Sequence, residues 1–200
     1  MFYKGSLFRI DYVFQVEETG VHTMTFTQHY DSPLGGILLA ADEVGLTGLW
    51  FDGEKYFADH LPKEHIEQDS PVLSQTRRWL DFYFSGSGPD WLPPLHPVGT
   101  PFRQTVWKIL LQIPYGQTIT YGDIARQLAS QQGLTRMSAQ AVGGAVGHNE
   151  ISIIIPCHRV VGADGSLTGY AGGIDKKFKL LELERADMNQ FYIPKKGTAL

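Results

Sequence analysis

One cysteine occurs in the 200 residues, Cys157, and it stands in the string Ile153-Ile154-Ile155-Pro156-Cys157-His158-Arg159-Val160. Taken alone, a single cysteine reads as a small buried hydrophobe. Its neighbours point to chemistry instead. His158 and Arg159 follow directly, and either side chain can favour the thiolate, the reactive form of the sulfur. Pro156 fixes the local backbone and ends any strand in a sheet interior, so Ile153–Ile155 is expected to be a buried strand presenting Cys157 at its tip. Adjacent residues on an extended chain face opposite ways, so His158 is expected to reach the sulfur through a bridging water unless the backbone turns. The chemistry on offer is nucleophilic attack by sulfur with an imidazole base. With one cysteine, neither an internal disulfide nor a cysteine zinc site is available, and the simplest setting is a reducing cytoplasm. No metal and no cofactor is called for.

The elements that must position this string lie mostly in the second half. A helix is expected over Pro101–Gln112, with Pro101 in the first turn and Val106, Ile109 and Leu110 on one face. A second follows Thr120 as N-cap, over Tyr121–Ser130, and a third spans roughly Ser138–Gly147 (SAQAVGGAVG). Two short helices around the turn at Gln131-Gln132-Gly133 read as a helix-turn-helix, whose second helix usually contacts DNA. Three glycines in that helix cost roughly 1 kcal/mol each relative to alanine, which asks for close backbone approach to a partner, either another helix or a DNA groove. In the first half, Phe26–Tyr30, Ile37–Ala40 and Leu46–Phe51 read as antiparallel strands turned at Ser32-Pro33-Leu34-Gly35-Gly36 and at Asp42–Gly45. Val72–Phe84 reads as an amphipathic helix. Five of the eleven prolines fall in Gly86–Pro101, so the domain boundary is placed there. The expectation is an α+β chain: residues 24–97 form a small antiparallel sheet with helices, and residues 98–200 form a mostly helical, winged-helix-like domain. Residues 1–23 have no place in either and read as an extension upstream of a start at Met24.

Composition fits a globular protein, with 42% hydrophobic and 19% charged residues. No run approaches the ~18 apolar residues of a membrane span, and the first residues lack the pattern of a secretory signal. The formal charge is −4, but residues 1–97 carry six Lys/Arg against fourteen Asp/Glu while residues 98–200 carry eleven against seven. A basic half beside an acidic one points to a polyanion partner, though chance clustering explains the charge equally well.

The Ile-Pro-Cys-His-Arg-Val string resembles the active-site signature of the O6-alkylguanine-DNA alkyltransferases, or methylated-DNA–protein-cysteine methyltransferases. The resemblance continues through Phe102–Leu110, Pro114–Ala125, Ala141–Asn149, Gly169–Gly173 and Leu180–Glu184, and more loosely through residues 24–90. It implies a monomer that binds double-stranded DNA carrying O6-alkylguanine through the minor groove and rotates the damaged base into a pocket, because an O6 substituent inside the duplex is out of reach. Cys157 then takes the alkyl group irreversibly, once per molecule, from guanine and possible alternatives such as O4-alkylthymine. His158 takes the thiol proton through a water and Glu184 orients the imidazole. Asn149 braces the turn, and a helix-ending left-handed conformation suits it. Tyr121 assists the leaving guanine, and Tyr170, the Ala171 N–H and the carbonyls of Cys157 and Val160 line the base pocket.

Three positions depart from the family pattern. Gln140 stands where many relatives carry an intercalating arginine, which implies weaker, more salt-tolerant DNA binding, with Arg136 supplying part of the missing charge. Ala141 and Gly144 share that helix and the DNA-binding assignment. Glu150 replaces the usual proline after Asn149 and is expected to add negative charge near the DNA face. Ala171 replaces a serine. Other readings are a lesion binder that does not react, a class that replaces the nucleophile this chain keeps; a helix-turn-helix regulator that senses alkylation, for which no separate effector domain is evident; and a Cys-His hydrolase, which has no evident oxyanion-hole motif and would turn over.

Overall fold

The structure, a computed structural model, describes residues 24–194; the proposed extension over residues 1–23 lies outside them. Alternating apolar residues build the first layer. β1 (Phe26–Ser32), β2 (Gly35–Ala41) and β3 (Leu46–Phe51) form an antiparallel meander, and the short β4 (Ile66–Glu67) adds in parallel to β1, giving the order β3-β2-β1-β4. The register pairs Tyr30 with Ile37 and Ile37 with Phe51, so Ile37, Leu39, Leu49 and Phe51 are fully buried. A helix, α1 (Pro71–Phe84), covers that sheet. Ser70 caps its N-terminus and Pro71 opens it, where a missing N–H costs nothing. Leu73, Trp79, Leu80 and Tyr83 form its buried stripe.

The proline-rich connection does not hang free. The Leu46 N–H donates to Pro94 O and the His96 N–H to Leu46 O, so the segment runs along the edge of β3. Beyond it come α2 (Pro101–Leu110), β5 (Ile119–Thr120), α3 (Tyr121–Gln131), α4 (Ala139–Gly147), β6 (Val160–Val161) and α5 (Ile174–Leu183). Thr120 caps α3 through a reciprocal capping box with Asp123, and Ser138 caps α4. β5 and β6 pair in parallel. One apolar cluster runs from Leu39 and Leu80 through Val106, Leu128 and Val146 to Ile155 and Cys157, so the two halves share a core.

The segment before the cysteine corrects the sequence reading. Residues 152–155 are turn rather than strand, with the Ile154 N–H on Ser152 O and the Ile155 N–H on Ile151 O. Ile153 has φ 68°, a left-handed conformation that is costly for a β-branched side chain. The run is apolar because it plugs the core between the halves, and hydrophobicity does not separate a buried turn from a buried strand. Only Ile151 pairs, with Leu49 of β3. Among the described residues no helix is long and apolar enough to cross a membrane.

Candidate active site

Asn149 builds the turn that holds Cys157. Its Oδ1 accepts from the Ile151 N–H at 3.1 Å, and its Nδ2 donates to Ile151 O, to Ile155 O at 2.8 Å and to Cys157 Sγ at 3.1 Å. The bracing role therefore has a geometry, but Asn149 is not in the left-handed conformation expected of it; Ile153 carries that strain instead. Cys157 opens a 3-10 turn, Cys157–Arg159, so the backbone turns where an extended tip was expected. Cys157 is 4% exposed. Burial pushes the thiol up to about 11, with the Asn149 hydrogen bond opposing. This corrects the expectation of a favoured thiolate: neither His158 nor Arg159 offsets the desolvation, because both are committed to Glu184.

Glu184, the C-cap of α5, is the hub of a buried polar cluster. Oε1 accepts from His158 Nε2 at 2.7 Å, Arg159 Nη2 at 3.0 Å and the Tyr83 hydroxyl at 2.7 Å. Oε2 accepts from Arg159 Nε at 2.8 Å and the Gly116 N–H at 3.1 Å. Burial opposes ionisation, but His158 and Arg159 outweigh it and hold the carboxyl well below its usual range. Burial lowers the His158 pKa, against the pull of Glu184, which favours neutral imidazole. With Nε2–H on the carboxylate, the lone pair sits on Nδ1, and Nδ1 is buried without a partner.

Of the remaining predicted pocket residues, Tyr121 and Tyr170 lie near enough to Cys157 to feel its charge. Tyr121 starts α3, and its hydroxyl donates to the carbonyls of Thr168 and Gly169. Burial, and then Cys157, keep that phenol protonated. Tyr170 is buried against His158; its hydroxyl lacks a well-formed hydrogen bond, Ser152 coming nearest to providing one. The Ala171 carbonyl accepts from the Lys55 N–H, while its own N–H has no partner among the described residues. The carbonyls expected to face guanine are already engaged: Cys157 O accepts from the Val160 N–H, and Val160 O from Lys177 Nζ at 2.6 Å. Gln140, Ala141 and Arg136 are exposed and Gly144 partly so, on the outer face of α4 and the turn before it, whereas Cys157 is buried. No atom of the fold comes within 4 Å of a Cβ placed on Gly144, and one on Gly143 meets only the Tyr121 ring at 3.9 Å. Internal packing therefore does not demand those glycines.

Glu150 overturns its sequence reading. It is 2% exposed, with Oε2 accepting from Trp50 Nε1 at 2.8 Å and Oε1 from His60 Nδ1 at 2.8 Å. It faces the N-terminal half rather than solvent because the loop pairs with β3, turning alternate side chains inward.

Three other groups escaped the sequence. Lys177 is fully buried, donates also to Thr168 O at 2.6 Å, and burial brings it down to about 8. Tyr83 arrives from α1, and Glu54 lies buried against the Ser152 hydroxyl and the Phe51 N–H, where burial pushes its carboxyl up to about 8. A signal for Lys177 was present: Lys177, Leu180, Leu181 and Glu184 lie at i, i+3, i+4 and i+7, so two charges share the apolar stripe of α5. Among the described residues no cluster of three or more His, Cys, Asp or Glu could hold a metal.

Two family descriptions match this chain. "6-O-methylguanine DNA methyltransferase, DNA binding domain" covers residues 101–186, and "6-O-methylguanine DNA methyltransferase, ribonuclease-like domain" covers residues 26–90. The chain belongs to the 6-O-methylguanine DNA methyltransferase family. Within that family it is 40% identical over 164 residues to the methylated-DNA--protein-cysteine methyltransferase of Haemophilus influenzae, covering 82% of this chain and 88% of the relative. It is 44% identical over 161 residues to the protein of that name from Mycobacterium tuberculosis, covering 79% and 93%. The crystal structure of Mycobacterium tuberculosis OGT in complex with DNA superposes with a TM-score of 0.69 at 41% identity, covering 83% of this chain and 94% of that one. This chain and that protein thus share the α+β architecture over most of both chains.

Proposed function

We propose that this protein repairs DNA by moving a methyl or other alkyl group from the O6 atom of guanine onto Cys157, irreversibly and once per molecule. The observation that carries the reading is the state of His158: one ring nitrogen is fixed on Glu184 and the other is buried with a free lone pair, one residue from the only cysteine. Double-stranded DNA meets the exposed face of α4, with Gln140, Ala141 and Gly144 against the minor groove and Arg136 beside it. The open space at Gly144 supports close approach of a DNA groove to the helix backbone over an internal packing role. The damaged base, rotated out of the stack, enters between Tyr121, Tyr170 and the 160–171 segment, where the unpaired Ala171 N–H is available to its O6.

Because the resting sulfur is a thiol, the proton must leave as the bond forms. It passes through a water to His158 Nδ1, and Glu184 stabilises the imidazolium, as a base with an orienting carboxylate does. Sulfur forms a bond to the alkyl carbon, the carbon–O6 bond breaks, and its electron pair goes to guanine. Tyr121, kept protonated, supplies a donor to the leaving base. The thioether has no route back to a thiolate, which ends the molecule's activity. Residues 24–97 and 98–200 are taken as the working units, acting as a monomer in a reducing cytoplasm, where a lone thiol persists.

The test is intact-mass spectrometry after incubation with duplex DNA containing O6-methylguanine. The expected result is a gain of one methylene unit on Cys157, saturating at one per protein and abolished in Cys157→Ser. Binding without a mass gain, or continuous turnover, would overturn the reading.

A further inference from the structure

We propose that Glu150 is a positioning residue for Cys157, fastening the nucleophile's loop to the N-terminal half in place of the backbone restriction a proline would give. The inference rests on the reading of Cys157 as the nucleophile. Residue 150 lies between Asn149, which touches the sulfur, and Ile151, which pairs with Leu49. A proline there would fix φ by its ring. Glutamate leaves φ free, so the loop needs another constraint, and the side chain provides one. Both carboxylate oxygens are taken, by Trp50 of β3 and by His60 ten residues on. The backbone on each side is taken as well: the Leu49 N–H donates to Glu150 O at 2.8 Å, and the Ser152 N–H to Leu49 O at 2.9 Å.

The segment that supplies these anchors holds the rest of the site too. Glu54 accepts from the Ser152 hydroxyl, the Lys55 N–H donates to Ala171 O, and the Tyr56 ring stacks on His148 at the end of α4 with centroids 4.3 Å apart. Residues 50–60 therefore touch the nucleophile loop, the base-pocket segment and the recognition helix. Tyr56 and Ala58 take left-handed conformations, φ 65° and 54°, which persist only where surrounding contacts fix them. Glu150 is the link at which this segment meets the residue that holds the sulfur. Without it Asn149 keeps its own turn and the backbone bonds to Leu49, but loses the side-chain half of the anchor, the link to Trp50 and His60 that sets where the turn sits relative to the base pocket. A shift on the order of 1 Å at a reacting atom costs roughly 10²-fold in rate.

The experiment measures, for the full chain, the limiting single-turnover rate of methyl uptake from O6-methylguanine duplex and the Kd for the unmodified duplex. Glu150→Ala should react roughly tenfold slower or worse while still reaching one methyl per molecule and binding duplex within about twofold of wild type. Glu150→Gln keeps an acceptor for Trp50 and should recover part of the loss. Combining Trp50→Phe with Glu150→Ala should be no slower than Glu150→Ala alone. A purely structural role would lower the amplitude or the unfolding midpoint and leave the rate of the reactive molecules unchanged. A Glu150→Ala rate within about twofold of wild type overturns the proposal. If that variant does not fold, His60→Gln and Trp50→Phe should each slow the reaction roughly threefold at full uptake, and wild-type rates in both would overturn it. Absence of uptake by the wild type would instead sink the parent reading, and this one with it.

Discussion

Replacing Tyr83 with phenylalanine removes one oxygen and keeps the ring. The ring is fully buried, stacked on Trp79 with centroids 5.3 Å apart and edge-on to Tyr115 at 6.0 Å, so packing should survive. What is lost is a 2.7 Å hydrogen bond from the phenol to the Glu184 carboxylate. A bond to a charged group contributes about 1.5–3 kcal/mol net, against about 1 for a neutral pair. Four other donors remain on Glu184, so the carboxylate stays ionised and the loss should not exceed that range. Tyr83→Phe should therefore unfold in urea with about 1.5–3 kcal/mol less stability, and melt about 3–12 °C lower for a chain of this size. The difference should depend on pH. The folded-state pKa of Glu184 lies below the usual 4.5, so its stabilisation is complete above that value and fades as pH falls through the folded one. Because the four remaining donors hold the variant's carboxyl low as well, the wild-type advantage should persist from neutrality to below the usual 4.5 and shrink only as pH falls through the folded-state range. Transfer should slow roughly three- to tenfold, because Glu184 keeps His158 but loses part of its fixed orientation. A stability loss under about 0.5 kcal/mol would refute the argument that the N-terminal half contributes to the charge cluster.

Since burial lowers the His158 pKa, the base should be neutral at pH 7, and the transfer rate should stay flat from there to pH 8 and fall only below 6.5. A rate profile with its acid-limb midpoint at or above 7 contradicts this. Gln140→Arg should tighten duplex binding at low salt and steepen the dependence of log K on log salt by about one; an unchanged slope would mean that position 140 does not meet the phosphates. Gly116 has φ 73°, and a Cβ there would lie 2.6 Å from the Glu184 carbonyl oxygen. Gly116→Ala should cost at least about 1–2 kcal/mol from the backbone alone, read by urea unfolding, and a neutral result would show that this turn can relax.

Much of the proposed catalytic set is legible because it is local. Cys157 and His158 are neighbours in one string, and Asn149 lies only eight residues before the sulfur it touches. The helix starts were legible too, since Thr120, Ser138 and Pro101 act on the first turn that follows them. Where the reading failed, the deciding partner was distant in sequence. Ile153–Ile155 looked like a strand because burial alone was visible, and the turn is set by Asn149 and by the wedge between the halves. Arg159 and His158 read in sequence as promoters of a thiolate, but both are attached to Glu184, which lies 25 and 26 residues further on.

By itself the sequence determined the α+β order of elements and the likeness to a DNA alkyltransferase, and it singled out Cys157 and His158 as the proposed nucleophile and base, because each depends on residue type and short spacing. Tertiary structure alone decided the electrostatics. Burial makes Cys157 a resting thiol, Tyr83 reaches Glu184 from 101 positions away, and Glu150 faces Trp50 from 100 positions away rather than the DNA. The physical reason is that a charge's energy depends on what surrounds it in space, and a lone carboxylate reads the same in a sequence whether water or a tryptophan N–H awaits it.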